Sequence, residues 1–138
     1  MSFHAYLFFG GDCRAAFTRY QEVFGGDLEV LTMADAPDGE GMPGASPDTV
    51  LHAALTVGDG LLMGSDDPTT DDPGPVQGVM VSYSAADADE ARRVFDALSE
   101  GGQVTQELIG TFFSPAFGMC TDRFGTPWMV SAEPATEG

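Results

Sequence analysis

Basic residues are scarce in this chain: lysine is absent, and five arginines stand against 22 acidic residues, which gives a formal net charge of −17. A surface this acidic repels the phosphates of nucleic acids and the headgroups of anionic membranes. We therefore expect neither nucleic acid nor a membrane as a partner. The sequence also lacks an apolar run of about 18 residues and a charged-then-apolar leader, so we predict a cytoplasmic protein.

Cysteine is scarce as well, with Cys13 and Cys120 as the two thiols. Two cysteines this far apart give neither the spacing of a zinc site nor a disulfide framework. The 138 residues, 43% of them hydrophobic, are enough to bury a core without either device. We therefore expect a single domain, residues 1–138, that folds without disulfides or a structural metal.

The short motifs of common catalytic and phosphate-binding sites are missing too. The sequence has no HExxH helix, no GxSxG nucleophile elbow and no paired-cysteine signature. Gly58-Asp59-Gly60 is predicted to join strand to strand, whereas a phosphate-binding loop leads into a helix N-terminus. The sequence motifs therefore indicate no particular chemical reaction.

Two β-hairpins are the clearest elements that are present. Apolar and β-branched residues surround a short glycine-containing turn in both, which is typical of hairpins. Each consists of a strand, a turn and a strand: Val50–Val57, Gly58–Gly60 and Leu61–Ser65 in the first, and Phe117–Cys120, Thr121–Gly125 and Thr126–Ser131 in the second.

A strand, a helix and a second strand are predicted before each hairpin. The predicted strands are Phe3–Phe9 and Leu28–Met33 in the first half, with a helix over Cys13–Phe24, and Gly78–Ser84 and Gln103–Ile109 in the second half, with a helix between Asp87 and Gly101. Asp12 is placed to cap the first helix by accepting hydrogen bonds from its first N–H groups. Asp87 and Glu90 have the spacing of a capping box.

The two halves correspond to one another when 75 is added to the residue numbers of the first. The pairs that match in this way include Asp12 with Asp87, Ala16 with Ala91 and Tyr20 with Phe95. We therefore predict an α+β fold of two tandem βαβββ modules, over about residues 3–66 and 77–132, with a linker over about 67–76. Ala34–Asp48 is predicted to be a long loop and a candidate lid.

Several short segments accompany this order of elements: Tyr6–Phe9, Ala16–Tyr20, Val23–Gly26, His52–Leu55, Gly58–Asp66, Phe117–Asp122 and Phe124–Val130. Together they resemble the vicinal oxygen chelate superfamily, which includes glyoxalase I, bleomycin resistance proteins and extradiol dioxygenases. More narrowly, the chain resembles its PhnB-like branch, often labelled after a 3-demethylubiquinone methyltransferase. The sequence shows no strand, glycine-rich turn and helix that would form a methyl-donor site, so that label finds no support in the residues.

The resemblance implies a single vicinal oxygen chelate domain in which eight strands form a curved mixed sheet of two half-barrels. It also implies a homodimer, and a small-molecule ligand held in a cup. The superfamily's usual metal ligands are a His on the first strand, a Glu ending the fourth, a His on the fifth and a Glu on the eighth. Of these, His4 alone has a counterpart here, because Met63 and Met129 stand near the two Glu positions and Met80 near the second His position.

We therefore expect no tightly bound metal, because thioethers suit neither hard divalent cations nor Zn²⁺. A shifted divalent-metal site made of His4, His52 and Asp66 is the alternative. It would supply the two-His-one-carboxylate set of iron oxygenases.

The candidate pocket residues are aromatic, thioether and imidazole side chains: His4, Tyr6, His52, Met63, Tyr83, Phe113, Trp128 and Met129. Alternation along the strand places His52 on the face shared with Ala54 and opposite Ala53. Each candidate also has a structural interpretation. His52 fits a half-buried hydrogen-bonded histidine, Trp128 fits core or dimer packing, and the apolar loop around Phe113 fits an oligomer contact.

Two functions remain open at this point. One is a small-molecule-binding protein of the PhnB-like branch, a homodimer with largely apolar cups and no tightly bound metal. The other is a divalent-metal-dependent lyase, isomerase or dioxygenase that acts on an oxygen-chelating substrate. The number of His, Glu and Asp side chains that converge in the cup distinguishes them.

Overall fold

The computed structural model describes residues 3–35, 47–67 and 76–133. Most of the predicted lid and linker, and the end of the chain from residue 134, lie outside the described residues. Contacts divide the chain into two compact units, residues 1–74 and 75–138.

Each unit contains a strand, a helix and three further strands. The elements of the first unit are β1 (Ala5–Phe9), α1 (Cys13–Phe24), β2 (Asp27–Thr32), a short 3-10 helix (Met33–Asp35), β3 (Val50–Val57) and β4 (Gly60–Asp66). Those of the second unit are β5 (Val81–Ala85), α2 (Ala88–Ser99), β6 (Gln103–Ile109), β7 (Phe117–Thr121) and β8 (Pro127–Ala132). The predicted α+β fold of tandem βαβββ modules is confirmed.

The eight strands form two mixed sheets of four. Their orders are β1-β4-β3-β2 and β5-β8-β7-β6. In each sheet the first and last strands of the unit pair in parallel, β1 with β4 and β5 with β8, while the remaining pairs are antiparallel. The parallel pair is possible because the helix between them provides the crossover connection.

In the first unit, α1 covers one face of its sheet. Its buried side chains recur at helical spacing: Cys13, Ala16, Phe17, Tyr20 and Val23. They pack against β3 residues that alternate toward the helix, such as the buried Ala53 and Leu55. We call this side of the sheet the helix face, and the opposite side the open face.

The close approach of α1 to the sheet depends on Gly64 in β4. A Cβ atom there would lie 2.8 Å from the Phe17 ring and 2.8 Å from the carbonyl oxygen of Leu7. Phe17 is fully buried, which contributes about 1.5 to 3 kcal/mol of hydrophobic stabilisation. Glycine at this position lets the aromatic ring rest directly on the backbone.

The second unit has the same two-layer construction. The buried stripe of α2 consists of Ala91, Val94, Phe95 and Leu98. It covers the side of the sheet that carries Trp128 and Val130 on β8 and Cys120 on β7, all of which are buried. The strand register confirms that these side chains lie on the same face of the sheet. Trp128 of β8 stands opposite Cys120 of β7 on one side and opposite Val81 of β5 on the other.

The two helices begin differently, and this corrects one expectation. Asp87 caps α2 as predicted, its Oδ1 accepting from the N–H of Glu90 over 2.8 Å. Asp12 makes no side-chain cap bond at α1. The carboxylate of Asp66, from the end of β4, takes that role, accepting from the N–H groups of Gly11 and Cys13 at 3.0 Å each.

The start of the second unit also differs from expectation. The predicted strand over Gly78–Ser84 is observed as β5 over Val81–Ala85. Gly78 has a φ of +77°, and this left-handed conformation interrupts the extended backbone that a strand requires. Among the described residues, no helix has both the length and the apolar composition needed to cross a membrane.

Candidate functional site on the open face of the first sheet

The side chains of Tyr6 and His52 meet on the open face of the first sheet. The hydroxyl of Tyr6 lies 3.3 Å from Nδ1 of His52, and the two ring centroids are 5.8 Å apart. Tyr6 lies on β1 and His52 on β3, and β4 stands between these two strands. Both residues were candidates from the sequence, and the sheet brings them together across 46 positions of the chain.

The predicted side for His52 is consistent with the burial pattern. Ala53 and Leu55 are buried on the helix face, whereas His52 and Ala54 are half-buried. A register shift at the start of β3, where Leu31 pairs with His52 and Thr32 with Val50, brings Val50 into the core as well. His52 pairs with Leu31 ahead of this shift, and it therefore keeps its place on the open face while Val50 is buried.

Met63 shares this face with Tyr6. In register, Met63 of β4 stands directly opposite Tyr6 on one side and Ala54 on the other. Residues directly opposite in a sheet project to the same side. The third candidate of the first unit therefore belongs to the same cluster.

Two further residues complete the cluster, and sequence reasoning missed both. The ring of Phe8 lies 5.3 Å from that of Tyr6, and Leu31 pairs in register with His52. Phe8 is 60% exposed and Leu31 43% exposed. Alternation from Tyr6 would have identified Phe8, because residues two apart on a strand share a face. We call Tyr6, Phe8, Leu31, His52 and Met63 the open-face cluster.

The alternative metal site of His4, His52 and Asp66 does not form. Asp66 pairs with the buried Phe9 and lies on the helix face, 6% exposed, whereas His52 pairs with Leu31 on the open face. Both carboxylate oxygens of Asp66 are already engaged by backbone donors: Oδ1 by Gly11 and Cys13, and Oδ2 by Val50 at 3.0 Å. His4 is exposed and precedes β1. No group of three or more His, Cys, Asp or Glu side chains among the described residues could hold a metal ion.

Met63 and Met129, which the resemblance places near the superfamily's glutamate positions, are thioethers. Met63 on β4 and Met129 on β8 are each central in their strand, with Met129 opposite Ser82 and Met119. A thioether is a poor ligand for a hard divalent cation or for Zn²⁺. The donor set on these strands therefore does not fit the divalent metal that the superfamily's name implies.

Tyr83, a predicted pocket residue, faces α2. It stands opposite the buried Val130 in register, and its hydroxyl donates to Oε1 of Glu90 over 3.0 Å. Partial burial raises the pKa of Tyr83, and the hydrogen bond to Glu90 raises it further. Tyr83 therefore ties α2 to its own sheet and is not on the open face of that sheet.

Trp128 also lies on the helix face of its sheet, where it is 2% exposed. Its indole Nε1–H donates to Oδ2 of Asp122 over 2.8 Å. The other oxygen, Oδ1, accepts from the N–H groups of Phe124 and Thr126 at 2.9 and 3.0 Å. Trp128 therefore packs in the core of the second unit, which is one of the structural roles considered for it from the sequence.

Met129 and Phe113 belong to the other side of the second sheet. Met129 stands opposite Met119 of β7 and therefore shares its face. Phe117, two positions before Met119 on the same strand, lies on that face as well. The Phe113 ring packs edge-to-face on that of Phe117 with centroids 5.2 Å apart. The eight candidates therefore separate into the open-face cluster, this second group, the exposed His4, and two residues on the helix face of the second sheet, the half-buried Tyr83 and the buried Trp128.

A sequence model of the 3-demethylubiquinone-9 3-methyltransferase family matches residues 1–131 of this chain. The chain belongs to this family. At lower identity its fold also matches solved glyoxalase/bleomycin resistance protein/dioxygenase domains. The sequence model confirms the predicted resemblance to the branch labelled after this methyltransferase. The glyoxalase-type matches, at 15% and 11% identity, show the fold alone.

Relatives of known structure or sequence match over nearly their full length. The chain is 40% identical to protein PA1353 from Pseudomonas aeruginosa, with a TM-score of 0.87 over 96% of this chain and 98% of that one. Protein YjdN from Escherichia coli K12 is 29% identical over 95% of each chain. A Bacillus cereus PhnB protein, described as a putative 3-demethylubiquinone-9 3-methyltransferase, is 23% identical with a TM-score of 0.75, over 96% and 99% of the two chains. This last likeness shows the fold alone.

Proposed function

We propose that this PhnB-like chain binds a small, largely apolar ligand against the open face of its first sheet, without a tightly bound metal. The observation that supports this most directly is the exposure of apolar side chains in the open-face cluster. Tyr6, Phe8 and Leu31 are each at least 40% exposed, although each stands on a regular strand. Exposed apolar side chains that adjoin one another are typical of binding surfaces.

Methyl transfer is not part of this proposal. Contrary to the expectation from the sequence, the first strand does lead through Gly10-Gly11 into α1, which is the arrangement that receives anionic cofactors at a helix N-terminus. Here the N–H groups of Gly11 and Cys13 are bound by the carboxylate of Asp66. That carboxylate occupies the place of a cofactor anion.

Binding is tested with N-phenyl-1-naphthylamine, a neutral apolar probe that fluoresces in apolar surroundings. We expect saturable binding, weakened at least fivefold by Phe8→Ser or Leu31→Ser, because each removes apolar contact area. Ile109→Ser is the matched control, since Ile109 is 50% exposed on β6 of the other sheet. Equal weakening by Ile109→Ser, or no saturable binding, would contradict the proposed site.

The absence of a tightly bound metal is tested by elemental analysis of protein purified without chelator. We expect less than a tenth of an equivalent of Zn, Ni, Mn or Fe, because Asp66 is engaged by backbone donors and Met63 and Met129 are poor ligands. A stoichiometric metal that is lost in His52→Ala would overturn this part of the proposal and support the metal-dependent enzyme instead.

We also propose that the chain forms a homodimer, with the loop between β6 and β7 in the interface. Phe112 is fully exposed and Phe113 half-exposed, with ring centroids 5.2 Å apart. The loop is held firmly beneath them: the buried Ser114 hydroxyl lies 2.6 Å from the carbonyl oxygen of Ala116 and 2.7 Å from that of Ala132. An ordered loop that presents two aromatic rings to solvent is typical of a contact surface.

The dimer is tested by sedimentation equilibrium. We expect a species of twice the chain mass of 14.5 kDa, and dissociation on Phe112→Ser with Phe113→Ser. Val79→Ser, at another exposed apolar residue, is the control. A wild-type monomer at micromolar concentration would remove the homodimer from the proposal.

A further inference from the structure

We propose that Tyr6 and His52 act together as a hydrogen-bonding anchor for a hydroxyl group, so that the ligand is a neutral hydroxy-aromatic compound such as a phenol or a naphthol. This rests on the proposed binding function and adds to it the chemical class of the ligand. The pair stands out because it joins two polar side chains in an otherwise apolar cluster. The remaining members, Phe8, Leu31 and Met63, offer no strong hydrogen-bonding group.

The hydrogen-bonding groups of Tyr6 and His52 are complementary to a ligand group, such as a hydroxyl, that both donates and accepts hydrogen bonds. A neutral imidazole carries one proton, so one ring nitrogen donates while the other accepts. If the Tyr6 hydroxyl donates to Nδ1 over 3.3 Å, the Nε2–H of His52 and a lone pair of the Tyr6 oxygen are left for a ligand. If Nδ1–H donates instead, the Tyr6 O–H and the Nε2 lone pair are left. In either tautomer the pair offers one donor and one acceptor.

The charges around the pair favour a ligand whose hydrogen-bonding group is neutral over one whose group is anionic. The four strands of the first sheet, all of which the structure describes, contain no arginine, since the five arginines of the chain stand at positions 14, 19, 92, 93 and 123. The same sheet carries Asp27 and Glu29 on β2, opposite Thr56 and Ala54. Register puts both acids on the open face with Leu31. A carboxylate ligand would meet these charges in a chain of net charge −17.

The side chains around the Tyr6–His52 pair are suited to binding the planar aromatic part of a ligand. The rings of Tyr6 and Phe8 have centroids 5.3 Å apart at an interplanar angle of 47°. Aromatic rings and a thioether provide the edge and face contacts that hold another aromatic ring. A hydroxyl on such a ring would reach the polar pair while the ring stays on the apolar part of the cluster.

The second unit does not repeat this anchor. Met63 pairs with Tyr6 and Ala54, and Met129 pairs with Ser82 and Met119. Ser82 is therefore the equivalent of Tyr6. Phe117, two residues before Met119, is likewise the equivalent of His52, two residues before Ala54. A serine and a phenylalanine do not form the donor–acceptor pair, so we expect one hydroxyl-binding site per chain.

Three naphthalenes that differ only in the head group test the inference by isothermal titration calorimetry at about pH 7: naphthalene, 1-naphthol and 1-naphthoate. We expect one site per chain and 1-naphthol to bind about three- to tenfold more tightly than naphthalene, the difference that one net hydrogen bond supplies. We expect 1-naphthoate to bind more weakly than 1-naphthol. Tyr6→Phe and His52→Phe keep the ring shapes and should each reduce the preference for the hydroxyl to about one, with naphthalene affinity within twofold of wild type.

Tyr83→Phe is the matched control, because it removes a tyrosine hydroxyl that bonds Glu90 on the helix face of the other unit. It should leave the hydroxyl preference unchanged. Equal binding of naphthalene and 1-naphthol to wild type would overturn the anchor while leaving an apolar site in place. A preference that survives in Tyr6→Phe or in His52→Phe, or tightest binding of 1-naphthoate, would also overturn it. If none of the three binds, the proposed function fails, and the anchor with it.

Discussion

The backbone N–H of Cys13 donates to Oδ1 of Asp66 over 3.0 Å, although 53 residues separate them in the chain. Through this bond the last residue of β4 fixes the first residue of α1. The same carboxylate also binds Gly11 and, through Oδ2, Val50 at the start of β3. One buried side chain therefore satisfies three donors from two separate segments of the first unit.

Asp66→Asn should lower the free energy of unfolding by about 2 to 4 kcal/mol, because an amide lacks the charge and one of the two acceptor oxygens. Urea unfolding followed by circular dichroism measures the change. Asp59→Asn, in the exposed turn between β3 and β4, should change it by less than about 0.5 kcal/mol. Similar effects of the two substitutions would contradict the role of Asp66.

Gly64→Ala should destabilise the first unit by about 2 kcal/mol or more, because the new Cβ would lie 2.8 Å from both the Phe17 ring and a backbone oxygen. Thermal unfolding measures the shift. Gly110→Ala is the control, since the nearest atom to its Cβ would be the Pro115 oxygen at 3.4 Å. An unchanged midpoint for Gly64→Ala would show that α1 does not lie against β4 as described.

Asp122→Asn should destabilise the second unit by about 2 to 3 kcal/mol and move the fluorescence of Trp128 to longer wavelength. The amide nitrogen cannot accept the indole N–H that Oδ2 accepts over 2.8 Å. Trp128 is the single tryptophan of the chain, so the tryptophan emission reports the surroundings of this indole alone. Asp96→Asn, which loses only an exposed ion pair with Arg92, should leave the spectrum unchanged and cost under about 1 kcal/mol.

Alkaline pH should destabilise the protein through Cys13. Burial, reinforced by the charge of Asp66, raises the pKa of this thiol from 9.0 to about 12. The folded state therefore holds the proton more tightly than the unfolded state. The resulting stabilisation is fully present below about pH 9 and is lost as the pH rises toward 12.

Cys13→Ala should accordingly show a shallower loss of stability than wild type between about pH 9 and pH 11, measured by urea unfolding at each pH. Tyrosines ionise in both proteins, so the difference between the two curves isolates the thiol. Parallel curves would show that Cys13 ionises normally in the folded state.

The sequence predicts regular elements well where local signals decide them. The bounds of α1, β3 and β6 are as predicted, because a helical stripe ends at Gly25 in the first case and alternating or apolar runs meet turns in the others. Asp87 caps its helix as predicted because donor and acceptor lie three residues apart. In these cases the physical cause lies within one turn of the residue concerned.

Features decided by distant partners could not be predicted in the same way. Asp12 has the right type and position for a cap, but the Asp66 carboxylate arrives from the far end of the unit and takes the donor of Cys13. Trp128 and Met129 are neighbours on one strand, and both are apolar. Composition therefore does not reveal that Trp128 faces α2 and Met129 faces away.

The position of β4 between β1 and β3 has a consequence for the order in which the protein forms. Tyr6 and His52 are both synthesised before β4, yet neither of their strands pairs with the other. A growing chain that ends with β3 contains the whole polar pair but lacks the strand that sets their spacing. Pairing of Ala5 with Leu62 must close a long loop, and such distant contacts form late. We therefore expect the contact between these two side chains to form only after β4 has paired with both neighbouring strands.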